Sequence, residues 1–122
     1  MTTILYLFSL QPDVDADDYE KWAHSVDLPT LNALNSVRRY RILRAKQSDG
    51  KSVRKVAEWT YMEIIEVDSV QDFQREMEAP DLRQVAAKFD RFASTPTVLS
   101  FEDLTLRLPD LDDIDEQSRD HS

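Results

Sequence analysis

The feature that most constrains this chain is an alternation of two periods. Four short stretches rich in β-formers are separated by two apolar stripes at helical spacing. Ile4 to Leu10 mixes aliphatic and aromatic residues and stops before Pro12 and Asp13, as expected of a strand buried on both faces. Asp13 and Asp15 can accept from the free amides of a following helix, and Asp17 and Asp18 suit its positive end, so a helix is predicted to begin near Asp15. Its stripe is Tyr19, Trp22, Ala23 and Val26, and Pro29 marks its end or a kink.

Ser36 to Lys46 reads as a second strand, with Val37, Arg39, Arg41 and Leu43 on one side and Tyr40 and Ile42 on the other. Gln47 to Ser52 contains Asp49 and Gly50, the only glycine of the chain, and predicts a hairpin. The third strand lies within Val53 to Val67, where Trp59, Tyr61, Glu63, Ile65 and Val67 share a side. A second helix, capped by Asp68 or Ser69, carries Val70, Phe73 and Met77. It is interrupted near Pro80 and resumes through Leu82, Val85, Ala86, Phe89 and Phe92. Thr97 to Leu106 supplies the last strand.

The order β-α-β-β-α-β predicts an α+β, ferredoxin-like domain over residues 1–108, with a four-stranded antiparallel sheet and both helices on one face. Residues 109–122 hold six acids against one base and read as a solvated, flexible tail. The uncovered sheet face carries bulky apolar residues, and pairing with a second copy about a two-fold axis is the economical way to cover it, which predicts a homodimer.

Charge and composition narrow the function. A net charge of -9 would repel a phosphate backbone, so nucleic acid is not expected as a partner. No cysteine is present, which suits a reducing compartment, and the opening residues have neither a basic leader nor a cleavage site, so a cytoplasmic protein without a membrane span is expected. A lone glycine cannot build a phosphate-cradling loop, and His24 and His121 alone are too few for a preformed metal centre. Neither cofactor nor metal is therefore expected.

Three sets of residues carry chemistry. His24 has Asp27 three residues on, within reach across a helical turn, so the carboxylate could orient the ring for proton transfer; the alternative is a histidine on the exposed helix face. Glu63, set among Trp59, Tyr61 and Ile65, is expected to be desolvated with a raised pKa, or else paired with Arg39 or Arg41 across the strands. Tyr6, Trp22, Tyr40, Tyr61 and Phe89 could line a cavity for a flat aromatic ligand, or simply fill the core.

The segments Tyr19-Glu20-x-Trp22, Asp27-x-Pro29, Ser36-Val37 and Tyr61-x-Glu63 give the chain, from about Ile4 to Leu104, a sequence that resembles the RedY-like proteins of the HapK type. Asp13 stands where that family usually has a glycine after the first strand's proline. The resemblance implies a dimeric α/β barrel and a place in bacterial natural-product pathways to prodiginine-like tripyrroles and bisindoles. It further implies a cofactor-free enzyme that steers cyclisation of an indolic or pyrrolic intermediate, with His24, Asp27 or Glu63 moving the protons and the aromatics holding the substrate. Cofactor-free oxygenation, or a non-catalytic binding or chaperone role beside a pathway oxidase, are the alternatives.

Overall fold

A computed structural model describes residues 1–46 and 59–107. The predicted hairpin at Gln47 to Ser52, the start of the third-strand region and the acidic tail lie outside the described residues. Four strands, β1 (Thr2–Phe8), β2 (Val37–Arg44), β3 (Tyr61–Val67) and β4 (Thr97–Glu102), form one sheet in the order β2-β3-β1-β4 with antiparallel neighbours throughout. Between them run α1 (Ala16–Trp22), a π turn (Ala23–Asp27), α2 (Leu28–Asn32), α3 (Val70–Glu76) and α4 (Pro80–Phe92). This is the ferredoxin-like α+β arrangement that the alternation predicts. No helix among the described residues is long and apolar enough to cross a membrane.

Asp15 caps α1 by accepting from the Asp17 amide, and Ser69 caps α3 by accepting from Asp72. The first helix departs from its expected stripe. Buried positions are Tyr19, Ala23, Asp27 and Leu31, each four residues apart, while Val26 is exposed. In an α-helix of about 3.6 residues per turn, four-residue steps drift around the axis. Here the Leu28 amide bonds to the Ala23 carbonyl, a five-residue step that widens one turn and keeps the four positions on one face. The π turn thus carries a carboxylate inward where the sequence pattern predicts valine. Nor does Pro29 end the helix: it occupies the first turn of α2, directly after the π turn.

Register fixes which side chains face the helices. Ile4 lies opposite Ile65, Tyr6 opposite Glu63 and Phe8 opposite Tyr61, so Tyr61, Glu63, Ile65 and Val67 face inward together, as expected. The alternation in β2 is broken by a bulge between Val37 and Arg39. The extra residue turns both Val37 and Tyr40 inward, so Val37 does not share a face with Arg39 and Arg41. The last strand ends at Glu102, short of Leu106, and a 3-10 turn (Leu104–Arg107) follows, with Asp103 accepting from the Thr105 amide.

The inner face packs in two clusters. One joins Ile4, Val37, Tyr40 and Ile65 to Leu31, Phe73 and Leu82 of the helices; the other joins Phe8 and Tyr61 to Tyr19, Ala23 and Ala93. Phe8 is fully buried, stacked on Tyr61 at 5.6 Å and met edge-on by Tyr19 and Phe89 at 5.9 and 4.9 Å. The outer face carries a second set of apolar residues. Leu5 sits between Ile64 and Leu99, and Met62 between Leu7 and Leu43; Leu43, Leu99 and Phe101 are exposed.

Phe8 anchors three aromatic contacts at the seam of the second cluster. Phe8→Ala is expected to lower stability by about 3–5 kcal/mol, read from urea or guanidinium unfolding midpoints, and a loss below about 1 kcal/mol would show that the cluster does not hold the sheet to its helices.

Candidate active site

Three chain segments meet at one hydroxyl. Asp27 is brought in by the π turn, Tyr40 by the bulge in β2 and Glu63 by the inward phase of β3, and all three are buried. The Tyr40 hydroxyl lies 2.7 Å from Asp27 Oδ2 and 2.6 Å from Glu63 Oε2. Its backbone is fixed by Asn32, whose amide donates to the Tyr40 carbonyl at 3.0 Å and whose oxygen accepts from the Tyr40 N–H at 2.9 Å. Asn32 therefore supplies the ladder bonds that the free edge of β2 lacks. One short helical run, from the π turn to the end of α2, provides both a carboxyl for the site and the clamp on its centre.

The geometry dictates a proton count. Each short O···O separation needs one proton between the oxygens, and a tyrosine hydroxyl brings only one. One of the two carboxyls must therefore be a neutral acid that donates to the Tyr40 oxygen, while Tyr40 donates to the other. Burial, followed by the charge of Asp27, pushes Glu63 up to about 8. Burial also raises Asp27, to about 6, with the Tyr40 hydrogen bond acting against it. Glu63 is thus the acid near neutral pH, and the chain reads Glu63 carboxyl to Tyr40 hydroxyl to Asp27 carboxylate. Tyr40 itself is held neutral, its ionisation raised by burial and by the two carboxyls.

This chain forms part of the wall of a cavity of about 300 Å³ between sheet and helices. Leu31, Ile65 and Phe73 make apolar walls, while Tyr6 and Phe89 meet edge-to-face at 6.4 Å. Gln74, Glu78 and Arg83, all exposed, stand at its rim. Apolar walls around a neutral acid and a carboxylate favour proton transfer to a bound molecule over exchange with bulk water.

Of the expected site residues, Asp27, Glu63, Tyr6, Tyr40 and Phe89 converge on this cavity. His24 does not: it is exposed, and Asp27 turns away from it to bond Tyr40. Trp22 packs against Tyr19 and Phe92 with ring centroids at 6.3 and 5.3 Å, outside the cavity. Tyr61 also lies elsewhere, donating from its hydroxyl to Glu20 at 2.7 Å, because its position at the start of β3 places it beside α1. An ion pair of Glu63 with Arg39 or Arg41 is not formed, since those residues occupy the opposite face of the sheet. Tyr40 as a proton carrier is not evident from sequence, because that role depends on the bulge and on the pairing of β2 with β3. Among the described residues, no group of three or more His, Asp or Glu side chains is arranged to hold a metal ion.

Comparison with known proteins gives a family and a fold. The family model described as REDY-like protein HapK matches residues 2–104. The crystal structure of HapK from Hahella chejuensis is similar at 30% identity and a TM-score of 0.70, over 85% of this chain and 93% of that one. Hydroxynitrile lyase from Passiflora edulis is similar in fold at 14% identity and a TM-score of 0.64, over 82% of this chain and 90% of that one. A mutant of SnoaB, a cofactor-independent oxygenase from Streptomyces nogalater, aligns at 14% identity and a TM-score of 0.63, covering 84% of this chain and 91% of its own. A search of curated proteins returns no match.

The site makes stability depend on pH with a defined sign. Glu63 has its pKa raised on folding, so the native state keeps a proton that the unfolded chain has released. Its contribution is complete below the ordinary carboxyl range and is lost as pH rises toward about 8. Glu63→Gln keeps a donor toward Tyr40 and cannot ionise. Between about pH 5 and about pH 9 the native protein is expected to lose on the order of 3 kcal/mol relative to this variant. Parallel denaturation curves across that range would contradict the assignment of the proton to Glu63.

Proposed function

Because the chain belongs to the family of REDY-like HapK proteins, we propose that it is a cofactor-independent enzyme of bacterial natural-product biosynthesis that binds an indolic or pyrrolic intermediate and directs its cyclisation by acid-base catalysis. The observation that carries this reading is the Glu63–Tyr40–Asp27 chain opening onto an apolar, aromatic-walled cavity. A volume of about 300 Å³ suits a small flat heterocycle. Tyr6 and Phe89 offer it ring contacts, and its N–H can donate to the Glu63 oxygen that does not bond Tyr40.

The proton steps balance within the chain. A proton leaving the substrate is taken up at the free oxygen of Glu63; the proton already on Glu63 moves to Tyr40, and the Tyr40 proton moves to Asp27. Run backwards, the same shifts return a proton to a different substrate atom. Such a one-atom-to-another transfer is what ring closure and re-aromatisation require, and the two short O···O separations leave little distance for either shift.

A second reading uses the same base. Removing a proton from an electron-rich ring makes an anion that can react directly with dioxygen, and the fold likeness to SnoaB is the observation that favours it. Product mass under air and under nitrogen separates the two. In a third, purely binding role the carboxyls would be dispensable to turnover.

The apolar outer sheet face supports a homodimer. Leu5, Leu43, Met62, Ile64, Leu99 and Phe101 form a continuous surface there, and a second copy is a self-complementary cover for it. Light scattering at micromolar concentration is expected to give twice the chain mass of 14.2 kDa, and Ile64→Lys to shift it to one. A stable monomer of the unaltered protein would remove the dimer from this reading.

Tyr40→Phe and Glu63→Gln are each expected to lower turnover of the pathway intermediate by about 10²–10⁴-fold in folded protein. Full product formation by both variants would overturn acid-base catalysis at this site and leave the binding role.

A further inference from the structure

The cavity that meets the acid chain has two unlike ends. At its inner end stand Asp27, Tyr40 and Glu63, whose two short hydrogen bonds leave them with one negative charge near neutral pH. At its rim stand Gln74 of α3, Glu78 in the turn that follows, and Arg83 of α4. Among the described residues that line the cavity, Arg83 is the one cation. The proton steps above use none of these three rim residues.

Helix stability does not account for a guanidinium at this position. Arg83 lies in the first turn of α4, at the positive end of the helix dipole, where an acid such as Asp81 is favoured and a base is not. The residues three and four positions away are Ala79, Pro80, Ala86 and Ala87, so no carboxylate is within reach along the helix. Glu78 faces the same cavity, yet the two charges do not come within ion-pair distance. Arg83 thus forms no ion pair among the described residues, and its planar fork of donors is left to solvent at the entrance of a largely apolar space.

This layout selects a ligand by charge and sets its direction. An anionic group at the inner end would meet the Asp27 carboxylate, in surroundings where burial strengthens repulsion. At the rim the same group meets Arg83, whose fork matches a carboxylate in two parallel hydrogen bonds, and the Gln74 amide is a further donor on that rim. A ring attached to the carboxylate then extends inward, toward Tyr6 and Phe89. We propose that the ligand of this cavity is a heterocyclic carboxylate that enters ring first and is held at the rim by Arg83, which makes Arg83 a specificity-determining residue. The proposal deepens the reading of the cavity as the substrate site and rests on it: with the acid group held at the rim, the ring N–H is the end presented to Glu63. Glu78 acts in the opposite sense, since its charge opposes an incoming carboxylate.

Two probes that differ by one charge test this without catalysis. Indole-3-acetate and indole-3-acetamide share a ring and nearly share a shape, and only the first is an anion. Calorimetric titration of the full chain near neutral pH is expected to show the acetate bound about five- to tenfold more tightly. Arg83→Gln is expected to abolish that preference and leave the affinity for the amide unchanged, which reports an intact cavity. Glu78→Gln is expected to tighten binding of the acetate by about two- to fivefold. Equal binding of the two probes by the unaltered protein, no saturable binding of either, a preference that survives Arg83→Gln, or weaker acetate binding by Glu78→Gln would overturn the proposal. The acid-base reading fails separately: full turnover by Glu63→Gln with the charge preference preserved would remove catalysis from the site and leave the carboxylate selectivity standing.

Discussion

Two carboxyls share one tyrosine hydroxyl inside this protein, and the remainder of the inner face is organised around keeping them there. Burying a single carboxyl is costly because water is lost from its charged form, and burying two side by side adds repulsion. The arrangement is tolerable only because a proton is retained: with Glu63 neutral, the site carries one negative charge, spread over a chain of short hydrogen bonds. That solution requires all three oxygens to be placed within a few tenths of an ångström. It is served by three local irregularities, a π turn at residues 23–27, a bulge at residues 37–39 and the side-chain clamp of Asn32 on an edge strand. Each departs from regular structure, and each acts on a residue of the chain or its immediate neighbour. Irregularities that would otherwise weaken a small domain are here the means of aiming a carboxyl and a phenol at one point.

Much of the architecture was legible in the sequence because it is written in periods. The inward phase of Tyr61, Glu63, Ile65 and Val67 follows from strict alternation, and the cap at Asp15 follows from an acid placed before a helical stripe. Glu63 was recognisable as a buried, perturbed carboxyl for the same reason: a carboxyl in phase with aromatics and aliphatics has nowhere wet to point. What could not be read was any property set by an interruption of period. Val26 continues an α-helical stripe on paper, and only the five-residue bond of the π turn replaces it with Asp27. Tyr40 belongs to an alternating strand on paper, and only the bulge puts it in phase with Val37. The pairing of His24 with Asp27 failed on the same ground, since the wider turn separates two residues that regular helical geometry would bring together. Trp22 and Tyr61 illustrate a different limit. Their packing against other rings was foreseeable, but whether an aromatic ring reaches a cavity wall depends on the position of α1 along the sheet.

A second cavity of about 90 Å³ lies beside α1, and its chemical character differs from that of the first. The larger one is walled by hydrocarbon and rings and meets the carboxyl chain from the helix α4 side. The smaller is walled by an ion-paired glutamate, an arginine, a histidine and two phenols. Glu63 lines the larger cavity, where burial disfavours its charged form and retains its proton.

The exposed last strand bears on the same balance. Every residue of β4 is exposed, including Val98, which is in phase with the inner face and lies opposite Tyr6. Tyr6 in turn forms part of the larger cavity's wall. Covering β4 would therefore dry that wall as well as hide Leu99 and Phe101 on the outer side. The raised acidity range of Glu63 arises within one subunit, because its own helices already desolvate it. The polarity of the space in front of it does not, because β4 leaves one flank open. Association through the outer sheet would hide Leu99 and Phe101 but not Val98, which is in phase with the inner face, so the acid chain, complete in a single chain, does not depend on it.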